Sequence, residues 1–328
     1  MRTSLGLTGD VMLGRLVDDH QRQRPVAAVW GDMLDRLRGL DGLLINLECC
    51  LSTRGQPWRR THRPFHFRAD PGWAIPALEA AGVDCCALAN NHVLDFETPA
   101  LIDTLDQLDA ADIAHAGAGR TREAAFEPAV FTVGDCTLAV VSVTDNTPEY
   151  AATEDAPGTA RIEIDRDDAS SRQAVERALE RAREHDPDLI VASLHWGPNM
   201  VEAPPESHQR FAHWLVDAGI DVVHGHSAHI FQGVEVYDGA PICYDTGDFV
   251  DDYARSQPRN DRSFLFAVVV DDGTPTELRL SPIEIDDFAV HQAGPEAADW
   301  SRARMRSLSA PFGTDFERDG DQLVLALS

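Results

Sequence analysis

Short runs of continuous apolar residues alternate along this chain with longer stretches whose apolar positions recur every three or four residues. Runs of the first kind mark strands buried on both faces, and stretches of the second kind mark amphipathic helices. Residues 5–11 read as a strand and turn, residues 13–37 as largely helical, and residues 42–47 as a short apolar run closed by Glu48. Residues 71–81 predict a helix ended by Gly82, and residues 83–89 a buried strand followed by Asn90, Asn91 and His92. Residues 98–108 are helical in pattern and 113–116 form a short strand. Residues 129–133 and 137–144 predict a hairpin around Gly134-Asp135. An amphipathic helix follows over 168–184. A continuous apolar strand, 189–194, then runs into His195-Trp196-Gly197. Residues 207–217 predict a helix with Gly219 just past its end, and 220–223 a strand ending at His224-Gly225-His226. Two hairpins close the pattern, 234–237 with 241–244 and 264–270 with 277–285.

Strands alternating with helices come first and hairpins accumulate later. That order predicts an α/β sandwich with a mixed sheet or two packed sheets. There is no internal repeat, and residues 149–158 read as a polar loop. Residues 1–290 are expected to form one domain, with 291–328 a C-terminal helix and loose tail packed on it or extending from it.

Composition narrows the setting. The chain has 328 residues and a formal net charge of −27, and its 28 basic residues are all Arg, with no Lys. Carboxylates stay hydrated in concentrated salt, where their mutual repulsion is screened. The composition is therefore read as adaptation to high salt. Such a surface repels phosphate backbones, which argues against a nucleic-acid partner. The first residues turn polar too soon for a signal peptide, and no apolar run approaches the length of a membrane span. The six Cys show no Cys-x-x-Cys spacing and read as small buried residues in a reducing, cytoplasmic compartment.

Five apolar runs are each followed by a metal-ligand type of residue: Asp10, Glu48, Asn91 with His92, His195, and His226 with His229. In open α/β sheets, ligands bind outside the carboxyl ends of strands. A carboxylate, amide and imidazole donor set suits one or two divalent ions, with Mn, Fe, Zn or Mg the candidates. Taken singly, an Asp after Gly is usually a turn residue and a His in an apolar strand a core residue. The coincidence at five strand ends is what argues for a site.

The segments Gly9-Asp10-Val11-Met12-Leu13-Gly14-Arg15, Asn46-Leu47-Glu48, Phe67-Arg68-Ala69 and Ala89-Asn90-Asn91-His92-Val93-Leu94-Asp95 resemble the CapA family. So do Leu194-His195-Trp196-Gly197, the run from His224 to His229, and Tyr244-Asp245-Thr246-Gly247-Asp248-Phe249. CapA proteins are named for capsule or poly-γ-glutamate biosynthesis and resemble calcineurin-like metallophosphoesterases. The resemblance implies a metallophosphoesterase-like αββα sandwich with mixed sheets. It implies that Asp10, Glu48, Asn91, His195, His226 and His229 are metal ligands, with Glu48 where a bridging Asp usually sits. His92 takes the place of the catalytic acid. His224 and Asp245 are expected to support the ligands from behind, Asp245 as the partner of His229, whereas Asp248 reads as a turn cap. Met12 stands where the superfamily's first motif has His, which removes one imidazole.

Residues 54–68 hold the densest basic cluster of this acidic chain. Arg59, Arg60, Arg63 and Arg68, with Arg15, are candidates to clamp an anionic small molecule or a polyglutamate chain. The same Arg could instead pair with surface carboxylates, and Trp196 fits either a pocket floor or the core. No Gly-x-Ser-x-Gly elbow and no glycine-rich phosphate loop occurs. Two functions are consistent with this set: a metal-dependent hydrolase of phosphoester or γ-glutamyl bonds, and a non-catalytic accessory protein that binds metal and polyglutamate. The charge pattern carries its own test. Thermal unfolding in 0 to about 3 M KCl is expected to show a midpoint that climbs with salt; a fully stable fold in dilute buffer contradicts the reading.

Overall fold

A computed structural model describes residues 2–164 and 168–327. Two mixed sheets lie face to face. The larger runs Glu317–Asp319, Gln322–Ala326, Thr274–Asp286, Arg262–Asp271, Arg2–Val11, Gly42–Leu47, Cys85–Ala87, Ala114–Ala116, with two short strands paired at its side. The smaller runs Val234–Tyr237, Ala240–Cys243, Val222–His226, Leu189–His195, Cys136–Thr144, Ala129–Val133. In the larger sheet the strands from Arg2–Val11 to the Ala114–Ala116 edge are parallel and the rest of the order is antiparallel, whereas the smaller sheet has a parallel centre and two antiparallel edges.

Side chains of successive strand residues point to opposite faces, so a strand covered on both sides is apolar throughout. Leu189 and Val191 enter the core between the sheets, while Ile190, Ala192 and Leu194 meet the helices outside. Leu44 likewise faces inward and Leu43, Ile45 and Leu47 outward. Helices Pro71–Ala81 and Glu97–Ala110 cover the larger sheet, and Ala169–Arg183 and Glu206–Asp217 cover the smaller one. The architecture is thus the expected αββα sandwich.

Two regions depart from expectation. Residues 13–37 are not one helix but Leu16–Gln21, a 3-10 stretch Val26–Met33 and Leu34–Arg38. Pro25 has no N–H to continue the first helix. Gly31 sits at φ 47°, backed so closely on Val290 that a Cβ would lie 2.3 Å from its carbonyl oxygen. At the C-terminus, helix Pro295–Ser309 is followed by a hairpin rather than a loose end. Gln322–Ala326 pairs antiparallel with Thr274–Asp286, and Leu323 and Leu325 enter the inter-sheet core.

The sheets are joined at one end by residues 244–250. Thr246 N donates to Gly225 O at 2.9 Å and Asp10 N to Gly247 O at 2.8 Å, so one segment hydrogen-bonds to a strand of each sheet. This crossing needs glycine: a Cβ on Gly225 would lie 2.0 Å from Tyr244 O, and one on Gly9 would lie 1.9 Å from Gly247 O. Gly225→Ala is therefore expected to destabilise the fold by more than about 2 kcal/mol in urea unfolding. Gly294→Ala, at a helix N-cap where the Cβ would meet nothing nearer than 3.6 Å, should cost no more than about 1 kcal/mol. Equal effects would refute the close-approach argument.

Candidate metal centre

The crossing segment brings the carboxyl ends of the two sheets together. Asp10 lies beside Asn46 in the larger sheet, and His195 beside His226 in the smaller. All four are buried. Asn46 Nδ2 donates to Asp10 Oδ1 at 2.6 Å, and Asn90 Nδ2 in turn donates to Asn46 Oδ1 at 3.0 Å. Asp10 Oδ1 faces His195 Nδ1 at 3.9 Å and His226 Nδ1 at 3.7 Å. Its other oxygen, Oδ2, faces His229 Nδ1 at 3.5 Å. Glu48 Oε1 lies 3.7 Å from His195 Nε2 and 3.8 Å from His92 Nε2.

These side chains form two overlapping sets of potential ligand atoms, each within 4.8 Å of one another: Asp10, His195 and His226, and Asp10, Glu48 and His229. Asp10, not Glu48, is the carboxylate common to both. No Cys belongs to either set among the described residues. All six Cys are buried, unpaired thiols, and burial pushes Cys49 up to about 12.

The donor atoms fit a divalent cation. Buried polar atoms almost always have a hydrogen-bond partner. Here Asp10 Oδ2, both oxygens of Glu48, Asn91 Oδ1, His195 Nε2 and Asp248 Oδ2 are buried without one. Among the described residues no Arg lies within ion-pair distance of Asp10, Glu48 or Asp248; the basic side chains at that distance are histidines. Burial pushes the Glu48 carboxyl well up, and the neighbouring Asp10 adds to it. Burial raises Asp10 too, opposed by His229. His195 and His226 are pushed down by burial, which keeps both imidazoles neutral, the form that ligates metals. Packed carboxylates with no Arg partner, beside neutral imidazoles, leave negative charge unbalanced, and one or two divalent ions would balance it.

The remaining expected residues divide. Asn91 and His92 line a cavity of about 380 Å³ together with His229 and Arg63. His224 lies behind the ligands: its Nε2 donates to Thr8 O at 2.7 Å and its Nδ1 lies 3.1 Å from Ser193 Oγ, which is 2.9 Å from His226 Nε2. Asp245 and Asp248 exchange the roles expected of them. Asp248 Oδ1 accepts from His229 Nδ1 at 2.8 Å. Asp245 instead ties the loop, accepting from Ala228 N at 2.7 Å and Gly247 N at 2.8 Å. That loop holds Ser227 at φ 114° and His229 at φ 60°, backbone strain maintained to aim an imidazole.

Trp196 does not floor the pocket. It packs beside Leu194, Phe211 and Tyr244 in the helix-covered core and donates Nε1 to Tyr244 O at 2.8 Å. Of the Arg cluster, only Arg63 lines the metal-side cavity. Arg15 and Arg68 line a neighbouring cavity of about 350 Å³ with Asp18, Asp19 and Asp70. Arg60 stacks 4.7 Å from the Trp58 ring and pairs with Glu97 at 3.6 Å, and Arg59 is exposed. A larger cavity, about 540 Å³, lies against helix Ala169–Arg183 and includes none of the candidate residues.

Four residues escaped the sequence reading. Asn46 and Asn90 orient Asp10, and Asp248 orients His229. Asp95 accepts from His92 Nδ1 at 2.5 Å, from Phe67 N at 2.8 Å and from Tyr150 OH at 3.0 Å. Asp95 could have been found by its place three residues after His92, at the end of the same motif.

An αββα sandwich with carboxylates and histidines gathered at the carboxyl ends of both sheets is a metallophosphoesterase-like fold. Within that class the chain belongs to the CapA family: residues 4–253 match the family described as bacterial capsule synthesis protein PGA_cap. It is 36% identical over 309 residues to a probable polyglutamine synthesis accessory protein of Mycobacterium tuberculosis, covering 90% of this chain and 80% of that one. It is 24% identical to the PGA biosynthesis protein CapA of Bacillus subtilis, over 89% of this chain and 73% of that protein. It is 25% identical to the capsule biosynthesis protein CapA of Bacillus anthracis, over 87% and 68%. A crystal structure of a hypothetical protein from Thermus thermophilus aligns at TM-score 0.47 and 18% identity, over 90% of this chain and 100% of that one. No helix among the described residues is long and apolar enough to cross a membrane.

Because Asp10 is common to both ligand sets, Asp10→Asn is expected to lose all bound metal on elemental analysis, whereas Glu48→Gln and His226→Ala each lose part. Saturating Mn at about 100 times its Kd should add about 2.7 kcal/mol to wild-type stability and nothing to Asp10→Asn. Metal retained in full by Asp10→Asn would refute the shared role.

Proposed function

We propose that this protein is a metal-dependent hydrolase acting on an anionic substrate of poly-γ-glutamate or capsule metabolism. The observation that carries the reading is the hydrogen-bonded series His92, Asp95, Tyr150 beside the candidate metal ligands. His92 is oriented by a carboxylate yet belongs to neither ligand set, which leaves its other ring nitrogen free to serve a substrate.

Asp95 fixes the ring through Nδ1, which leaves Nε2 toward Glu48 and the cavity. Tyr150 OH and Phe67 N hold the carboxylate of Asp95 in place. In hydrolysis the acyl or phosphoryl centre gains the hydroxyl of water, its bond to the leaving atom breaks, and the leaving atom gains a proton. His92 Nε2 is the group placed to give that proton. Asp10, Glu48, Asn91, His195, His226 and His229 would hold the ion or ions, which when bound supply Lewis acidity and neutralise developing charge. His224 and Asp248 fix the ring orientations of His226 and His229.

The second reading is an accessory protein that binds metal and polyglutamate without turnover. It is favoured by the name of the mycobacterial relative and by Met12, a buried core residue where an Asp-x-His motif would place an imidazole.

A screen of phosphoesters and γ-glutamyl amides separates the two. On a turned-over substrate, His92→Asn should lower kcat by about 10²- to 10⁴-fold with metal content unchanged, and Asp95→Asn should follow in the same direction. Unaltered turnover in His92→Asn would sink the catalytic role. No turnover of any substrate by the metal-loaded wild type would leave the accessory reading in possession.

A further inference from the structure

The cavity beside His92 has an unusual charge. In a chain of net charge −27, its lining includes Asn91, His92, Asn199, His229 and Asn260 but no Asp or Glu, and Arg63 is its one Arg. The Arg63 side chain is only 14% exposed. Its Nε and Nη2 are buried without a hydrogen-bond partner. Its one ion-pair neighbour among the described residues, Glu149 Oε1, is distant at 3.9 Å and already accepts from Thr61 Oγ1 at 2.6 Å. A guanidinium with two buried nitrogens left unpaired is a donor awaiting an acceptor.

Its position is fixed from below. The guanidinium lies 4.7 Å from the ring of Tyr150, the residue whose hydroxyl donates to Asp95 behind His92. The loop that carries Arg63 is itself anchored on Asp95: Trp58 N donates to Asp95 O at 2.8 Å and Phe67 N to Asp95 Oδ2 at 2.8 Å. Anion reading and His92 orientation thus share one support.

We propose that Arg63 is the specificity-determining residue of this cavity and that it reads a single carboxylate on the ligand presented to the metal centre. A carboxylate is favoured over a phosphate dianion because Glu149 already offsets part of the guanidinium charge, which suits a monoanion. The rest of the lining, with Phe65, Met200 and Tyr253 for apolar contact and Asn199 and Asn260 as amides, suits an amide-linked body. The remaining Arg of residues 54–68 do not share this role. The proposal rests on the functional reading above only for the choice of a γ-amide as probe.

The test is calorimetric binding to the Mn-loaded full chain in high salt. The probe is N-acetylglutamic acid γ-methylamide, which has one free carboxylate; its control has a carboxamide in that place. Wild type should bind the acid at least about tenfold more tightly than the amide, the worth of a charge-assisted hydrogen bond. Arg63→Gln should erase that preference, Arg63→Lys should restore part of it, and Arg60→Gln should leave it intact. Metal content and unfolding midpoint of each variant exclude a folding defect. A preference that survives Arg63→Gln, or a wild type that binds acid and amide alike, overturns the proposal. Methyl phosphate bound in preference to the acid, with dependence on Arg63, overturns the commitment to carboxylate. An Arg63-dependent preference without hydrolysis of any substrate would retire the hydrolase reading and leave Arg63 in its role. Hydrolysis indifferent to Arg63→Gln would do the reverse.

Discussion

Carboxylates packed together away from water cannot all ionise unless something positive joins them. Asp10 is fully buried where the two sheets meet, with Glu48, Asp245 and Asp248 buried nearby and no Arg in reach of Asp10, Glu48 or Asp248 among the described residues. The histidines beside them are themselves pushed toward neutrality by burial. A divalent cation would resolve this conflict, and the neighbouring side chains are hydrogen-bonded as a site for one requires. Asn46 and Asn90 aim Asp10, Ser193 and His224 support His226, and Asp248 aims His229.

The fold makes that convergence possible through one crossing segment. Residues 244–250 hydrogen-bond to the strand that carries Asp10 and to the strand that ends in His226. Both contacts depend on backbone approaching backbone, so Gly9 and Gly225 are structural requirements of the site rather than spacers. The strained turn at Ser227 and His229 is stabilised by the same segment through Asp245. Stability and site geometry are therefore coupled at this seam.

Much of this was legible in the sequence, for a physical reason. Strands buried on both faces are continuous apolar runs, and the residue that ends such a run is where solvent or ligand begins. Asp10, Glu48, His195 and His226 are read directly from that break. Strand alternation also separates two neighbours: Trp196 shares a face with Leu194, so His195 and Trp196 diverge, one to the centre and one to the core. The exchange between Asp245 and Asp248 was not legible, because they lie three residues apart on an irregular segment whose partners come from a different strand. The same holds for the Arg cluster. Composition marks residues 54–68 as basic, but only folding decides that Arg63 alone turns inward to the cavity beside His92.

The family assignment fixes the lineage and leaves chemistry to the site. The relatives' names speak of polyglutamine, PGA and capsule synthesis, and the structure adds an oriented imidazole, two overlapping sets of potential ligands and a guanidinium in the cavity beside His92. The proposed chemistry requires a cation at Asp10. The most direct measurement is anomalous diffraction at the Mn edge from crystals grown with Mn in high salt. The account predicts one or two anomalous peaks within coordination distance of the Asp10 carboxylate, flanked by His195, His226 and His229. A crystal with Mn bound elsewhere, or with this cluster free of metal at saturating Mn, would contradict it.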